Sequence, residues 1–122
     1  MGILFEVYNE LGYGFQEKYY ERAIAKYFSI TKLRFREQAS YKIMFKGEII
    51  GRYYMDFIVE DKIVLEIKKG NHFSKQNLDQ VKAYLNAIGL KLAILANFTP
   101  NGVKFLRVLN SNNKQTSFKS VY

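Results

Sequence analysis

The stretch of sequence that decides the fold is residues 54–68, which read YMDFIVEDKIVLEIK. Two apolar runs flank a polar Glu-Asp-Lys stretch, and this pattern is typical of two strands joined by a tight turn. Asp56 and Glu66 lie inside the apolar runs, although carboxylates are disfavoured in strands. We therefore expect these two side chains to take part in a chemical function and not to stabilise the strands.

The length of the turn predicts which residues of the two strands face each other. With a three-residue loop, Val59 pairs with Ile63, and the same count sets Asp56 opposite Glu66. Directly opposed residues project to the same face of a sheet, with Cβ atoms about 5 Å apart. Lys68 shares that face because it lies two residues beyond Glu66 on the same strand. The pattern thus predicts two carboxylates and one ammonium group in a single patch.

Two carboxylates at that distance repel each other unless a positive charge lies between them. A divalent cation would relieve the repulsion, held by Asp56, Glu66 and the backbone carbonyl of Ile67. The chain has one histidine, His72, and no cysteine, which favours oxygen ligands and hence Mg²⁺ or Mn²⁺. Such an ion would activate a water, with Lys68 orienting it or stabilising the transition state, so we predict phosphodiester hydrolysis. The alternative is a solvated set of charges across an edge strand.

The rest of the chain predicts an α/β domain. Apolar residues recur at helical spacing in residues 4–11, 15–28 and 74–88. Ser74 is the predicted N-cap of the last of these helices, and Gly89 follows its end. Strands are expected at residues 33–45, 49–59, 63–68, 92–96 and 103–109. The order ααβββαββ describes a mixed central sheet flanked by helices, in a single domain over residues 1–109 with a frayed polar tail at residues 110–122.

Charge and composition indicate which kind of molecule the protein binds and in which compartment it works. The 19 basic and 11 acidic residues give a formal net charge of +8, which favours a polyanion such as nucleic acid over the alternative of a merely basic protein. The first residues lack the basic leader of a signal peptide, and no apolar run approaches the ~18 residues of a membrane span. With the absence of cysteine, these features predict a cytoplasmic protein that is not associated with a membrane.

The motif residues resemble a known superfamily. Asp56, a short hairpin and then Glu66-Ile67-Lys68 resemble the D…(D/E)xK motif of the PD-(D/E)xK nuclease superfamily. The helix, three strands, helix and strand in this order also resemble its restriction-endonuclease-like core. Met55 stands at the nominal proline position, which is loosely kept in that superfamily.

Two further motifs make the resemblance more specific. Residues 14–20 fit the signature of the GxxExxY protein family through Gly14, Glu17 and Tyr20. Gln80 and Tyr84 resemble the QxxxY motif of RecB-type nucleases. The resemblance covers about residues 3–109, and it implies a Mg²⁺-dependent nuclease that acts on DNA.

The resemblance also implies roles for these added residues. Glu17 falls on the buried stripe of its helix, where a metal or a metal-bound water would be its partner; the alternative is an ordinary first-turn glutamate. Gln80 would bond to the metal shell or a phosphate, and Tyr84 to the nucleic-acid backbone. The alternative for this pair is a surface glutamine and a packing tyrosine.

The predicted contacts to nucleic acid come from exposed basic side chains. Arg52, Lys69, Lys75 and Lys82 would contact phosphates, with solvated lysines as the alternative. Cutting both strands of a duplex would suit a homodimer with two-fold symmetry. The competing function is a catalytically silent module on the same fold that binds nucleic acid or protein, and cleavage in Mg²⁺ separates the two.

Overall fold

Helices and strands follow one another in the order that the sequence predicts. The computed structural model describes residues 2–110. The elements are α1 (Gly2–Leu11), α2 (Glu17–Ile30), β1 (Phe35–Phe45), β2 (Glu48–Val59), β3 (Ile63–Lys69), α3 (Lys75–Ile88), β4 (Leu92–Thr99) and β5 (Gly102–Leu109). The predicted order ααβββαββ is confirmed. None of the helices in this described part of the chain is long and apolar enough to cross a membrane.

The strands form one mixed five-stranded sheet in the order β1-β2-β3-β4-β5. Neighbouring strands are antiparallel except β3 and β4, which are parallel and are connected through α3. A parallel pair needs such a crossover because a tight turn can only reverse the chain. The apolar run that starts at Leu92 is β4, and its central position between β3 and β5 explains why it is apolar on both faces.

Two apolar cores lie on opposite faces of the sheet. The core under α1 and α2 contains Leu4, Val7, Tyr20, Ile24, Phe28, Phe57, Leu65, Ile67, Ala96 and Phe98. The core under α3 contains Ala39, Met55, Ile58, Val64, Val81, Leu85, Ala93, Leu95 and Val108. Residues 64 and 65 therefore face opposite ways, as the period of two in β3 requires.

Helix α3 is closed at both ends by the residues that the sequence predicts. The Ser74 side chain accepts a hydrogen bond from the Asn77 amide, and Gly89 takes the left-handed conformation with φ 75°. Asn110, where the tail is predicted to begin, is not frayed, because its side-chain amide donates to the carbonyls of Leu85 and Leu90. The rest of the predicted tail, residues 111–122, lies outside the described residues.

Several predicted boundaries are wrong by two or three residues. Helix α2 begins at Glu17 and not near Phe15, because Gln16 is extended and Gly14 has φ 120°. Strand β4 continues to Thr99, beyond the predicted end at Ala96. The two polar residues of this extension donate hydrogen bonds to backbone carbonyls, Asn97 to two and Thr99 to one. The Oδ1 atom of Asn97 is buried and has no partner among the described residues.

Candidate active site

The β2–β3 hairpin has the predicted register, and it opens at the two carboxylates. Val59 pairs with Ile63, and the ladder continues to Phe57 opposite Leu65, where it ends. Beyond this point the amide of Asp56 donates to Glu66 Oε2 at 2.7 Å, and the amide of Ile67 donates to Asp56 Oδ2 at 2.7 Å. Each carboxylate thus bonds to the backbone of the opposite strand. The predicted Asp56–Glu66 ladder pair is replaced by these two side-chain bonds.

A distortion in the neighbouring strand accompanies this opening. In β1, Gln38 has φ 47°, which is uncommon for a residue other than glycine. The register between β1 and β2 omits Gln38 and Asp56, which lie between the pairs Glu37–Phe57 and Ala39–Met55. Met55 and Phe57 accordingly belong to cores on opposite faces of the sheet. At Asp56, the regular alternation of β2 side chains between the two faces of the sheet is therefore interrupted.

Glu66 is the more deeply buried of the two carboxylates, with 3% of its surface exposed. Its Oε1 atom accepts a hydrogen bond from the Tyr53 hydroxyl at 2.7 Å. The Tyr53 ring is stacked on that of Tyr84, with ring centroids 3.6 Å apart and an interplanar angle of 12°. Tyr84 of α3 therefore supports Glu66 through Tyr53, a contact that the sequence does not predict.

The opening between the strands leads into a pocket of about 120 Å³ beside α3. Its lining includes Asp56, Glu66, Lys68 and Gln80, which the sequence selects as site residues, and also Tyr53, Tyr54 and Asn77, which it does not. A volume of this size has room for several water molecules. Strands β2 and β3 and helix α3 supply these four predicted residues.

Burial controls the electrostatics of the carboxylate pair. It is the largest cause that raises the pKa of Asp56 and that of Glu66 above their ordinary ranges, and the Asp56 charge raises the pKa of Glu66 further. Backbone hydrogen bonds and the charge of Lys68 act in the opposite direction on both groups. The negative charges of this buried pair are only partly compensated, which favours the binding of a cation.

A third acidic side chain, Glu21, lies close to the pair. Its carboxylate accepts a hydrogen bond from the Gln38 side chain at 3.1 Å. Burial raises the pKa of Glu21 to about 7, and the charges of Asp56 and Glu17 contribute in the same direction. The sequence analysis missed Glu21, although its position four residues after Glu17 on one helix places both on the same side. No comparable signal identifies Gln38.

Glu17 takes a position at the rim of this region. Its carboxylate accepts a hydrogen bond from the amide of Lys69 at 2.9 Å, which ties the start of α2 to the end of β3. Within residues 2–110 no group of three or more His, Cys, Asp and Glu side chains is arranged to hold a metal ion. A metal ligand role for Glu17 thus stays a prediction, and its observed contact is structural.

A family model that describes the PD-(D/E)XK nuclease superfamily matches residues 1–108. The chain belongs to this superfamily. The GxxExxY family that the sequence resembles is compatible with the match. No curated protein matches the chain significantly. The fold is similar to that in the crystal structure of SSO0001, with a TM-score of 0.60 and 16% sequence identity. That similarity covers 84% of this chain and 54% of SSO0001, so the chain spans about half of the solved protein.

In this superfamily member, two residues of the GxxExxY signature have structural roles. Gly14 has φ 120°, a conformation that residues with a Cβ rarely adopt. The Tyr20 side chain is fully buried, and its hydroxyl donates to the Gly12 carbonyl at 2.6 Å. The same hydroxyl accepts a bond from the Phe15 amide. The signature glycine and tyrosine thus fix the loop that sets α2, and with it Glu17 and Glu21, over the site.

A second loop beside the site is fixed from β4. Asn97 lies next to Lys68 in the parallel β3–β4 ladder, and its side-chain amide donates to the carbonyls of Gly70 and His72. These bonds hold the segment between β3 and α3 directly after Lys68. His72 contributes its backbone carbonyl to these bonds.

The basic side chains predicted to contact nucleic acid are all exposed. Arg52 lies on β2, Lys69 at the end of β3, and Lys75 and Lys82 on α3. The ammonium group of Lys69 lies 5.2 Å from the centre of the Tyr13 ring. Their contact with phosphate stays a prediction.

Proposed function

We propose that this chain is a metal-dependent nuclease that hydrolyses phosphodiester bonds of DNA. The observation that carries the proposal is the mutual anchoring of Asp56 and Glu66 across the opened hairpin, with Lys68 lining the same pocket. Superfamily membership supports a nucleic acid as the substrate. The formal net charge of +8 supports a polyanion independently of that membership.

The residues present fit a hard divalent cation. Asp56 and Glu66 offer carboxylate oxygens whose buried charges are incompletely compensated, as their raised pKa values indicate. Carboxylate oxygens carry more than one lone pair, so the bonds they already accept leave room for a ligand role. Mg²⁺ is commonly held by one or two carboxylates plus water and substrate phosphate, which matches this set, with the Ile67 carbonyl as a further oxygen. When bound, such an ion polarises a phosphate and lowers the pKa of a water.

The chain's own side chains would then position and stabilise the reacting groups. Lys68 lines the same pocket as both carboxylates, and its ammonium group would hold the attacking water or a phosphate oxygen. Gln80 offers an amide on the α3 side of the pocket for the same phosphate. Tyr53 fixes the orientation of Glu66, and Gln38 and Glu21 bound the site on the α2 side.

We also propose that the enzyme works in the cytoplasm and as a two-fold dimer. The sequence contains no cysteine, which suits a reducing compartment. Two copies related by a two-fold axis would present their sites to the two strands of one duplex. Sedimentation of the protein alone and with duplex DNA tests the dimer.

Cleavage of supercoiled plasmid and labelled duplex DNA in Mg²⁺ or Mn²⁺ tests the nuclease. We expect Lys68→Ala and Asp56→Asn to reduce the rate about 10²–10³-fold, the usual loss when one stabilising group is removed. Lys62→Ala, in the exposed turn of the same hairpin, is the matched control and should cleave like the wild type. DNA binding without cleavage in any metal would instead support the silent module. Cleavage that survives both site variants and EDTA would contradict the proposed site.

A further inference from the structure

The β1–β2 hairpin ends in an exposed apolar tip. Residues 44–50 are all exposed, although four of the seven are large and apolar. The exposed fractions are 52% for Met44, 60% for Phe45, 48% for Ile49 and 65% for Ile50. Several exposed large apolar side chains in one short segment indicate an interaction site. We call residues 42–52 the hairpin tip.

The backbone of the hairpin tip is shaped to present these side chains. Lys46 and Gly47 have φ 49° and 82°, the two positive values that a tight hairpin turn with strong strand twist requires. The register then shifts, since Ile43 pairs with Gly51 while Met44 pairs with Ile49. Ile50 is the extra residue of this bulge, and bulges redirect side chains. The most exposed apolar residue of the tip is thus the one that the ladder leaves out.

The charges of the hairpin tip favour a polyanion over a protein partner. Lys42 and Arg52 are directly opposed across the ladder, a like-charge pair that destabilises a hairpin unless an anion compensates it. Lys46 lies at the turn, and Glu48 is the single acidic residue of the tip. Lysine is depleted in protein–protein interfaces, so this mixture of lysine and apolar residues is better suited to nucleic acid.

The hairpin tip is continuous with the candidate active site. Within β2, Ile49 and Asp56 are seven residues apart, which corresponds to about 23 Å of extended chain. Tyr54 lies between these two residues on β2, lines the pocket and is 52% exposed. At 3.4 Å per base pair, about 23 Å corresponds to about 7 base pairs of B-form DNA. A duplex with a phosphate in the pocket would therefore reach the tip about 7 base pairs away.

We propose that the hairpin tip binds the major groove of duplex DNA on one side of the scissile phosphate, a proposal that rests on the proposed nuclease function. Lys42 and Arg52 contact the phosphates, while Phe45 and Ile50 contact base edges and thymine methyl groups. The major groove of B-DNA admits a two-stranded ribbon. The deep, narrow major groove of A-form RNA does not, so the partner is DNA.

Fluorescence anisotropy with a labelled 25-base-pair duplex in EDTA measures this binding without cleavage. We expect the double substitution Phe45→Ser and Ile50→Ser to weaken binding at least about fivefold without changing its salt dependence. Ile30→Ser is the control, since Ile30 at the end of α2 is 61% exposed. The double substitution Lys42→Ala and Arg52→Ala should lower the slope of log K against log salt by about 2. Lys104→Ala with Arg107→Ala, two exposed residues of β5, is its control.

Cleavage of duplexes of different length supplies a second measurement. The wild type should cut faster when about 7 or more base pairs extend beyond the cut on the tip side. The Phe45 and Ile50 double variant should lose this length dependence and keep the rate on short duplexes.

The possible results separate the two proposals. Unchanged DNA affinity in both double variants overturns the role of the hairpin tip, whether or not the enzyme cuts DNA. A change from dimer to monomer with unchanged DNA affinity overturns it as well, since the tip would then bind a second copy. Weaker DNA binding in a protein that cuts no DNA supports the tip and contradicts the nuclease.

Discussion

The hydroxyl of Tyr53 should set the metal affinity of the site, and Tyr53→Phe tests this. The substitution keeps the ring and its stacking on Tyr84 but removes the 2.7 Å hydrogen bond to Glu66 Oε1. A hydrogen bond to a charged group contributes about 1.5–3 kcal/mol. Glu66 is only 3% exposed, so water cannot readily replace the lost donor. Loss of a partner that orients a metal ligand typically costs 10–100-fold in affinity or activity, and we expect a loss in that range.

Calorimetric titration with Mn²⁺ measures this affinity directly, and the dependence of cleavage on metal concentration measures it again. Tyr41→Phe is the matched control, because Tyr41 pairs with Tyr53 across the ladder and its hydroxyl donates to the Ala87 carbonyl, away from the carboxylates. We expect the control to bind Mn²⁺ like the wild type. Equal Mn²⁺ affinity in Tyr53→Phe and wild type would refute the reasoning, and equal losses in both variants would attribute the effect to general destabilisation.

Three further predictions concern the contacts of Glu21, Asn110 and Tyr20. Because the folded pKa of Glu21 is about 7 against an ordinary 4.5, the folded state keeps a proton that the unfolded state loses between these values. The free energy of unfolding of the metal-free protein should therefore fall as pH rises from about 4.5 to about 7, and Glu21→Gln should flatten this slope in urea titrations; an unchanged slope would contradict it. Asn110→Ala should cost about 1–2 kcal/mol of unfolding free energy, because the Leu90 carbonyl loses a donor and the Leu85 carbonyl keeps only the Gly89 amide; a cost below about 0.3 kcal/mol would count against this role of Asn110. Tyr20→Phe should cost about 1 kcal/mol and raise amide exchange at Phe15, whose amide donates to the Tyr20 hydroxyl, whereas unchanged exchange at Phe15 would contradict the role of Tyr20 in the loop.

Local patterns in the sequence were sufficient to predict the fold and to select three candidate site residues that lie together. The period of two in β2 and β3 and the length of their turn predicted three ladder pairs that the structure confirms. The same reasoning selected Asp56, Glu66 and Lys68, which line one pocket. These inferences succeed because hairpin register depends on neighbours in the sequence.

The remaining features of the site depend on contacts between distant segments. The left-handed conformation of Gln38 has no signal in the sequence, since glutamine gives no indication of a positive φ. Glu21 gains its importance only because α2 packs over the opened hairpin, and Tyr84 because Tyr53 lies under it. Sequence periodicity indicates that such residues share a face of a helix, and it does not indicate what that face meets.

The two carboxylates also connect β2 and β3 by hydrogen bonds. Each fills a position in which a sheet ordinarily uses a backbone carbonyl as acceptor, so the groups proposed for chemistry also hold two strands together. A relative that replaces either acid by a residue without a hydrogen-bond acceptor leaves the amide of Asp56 or of Ile67 unpaired, whatever its activity. Retention of an acceptor at both positions, whether a carboxylate or an amide, would therefore be no sign of activity, because the sheet alone requires it.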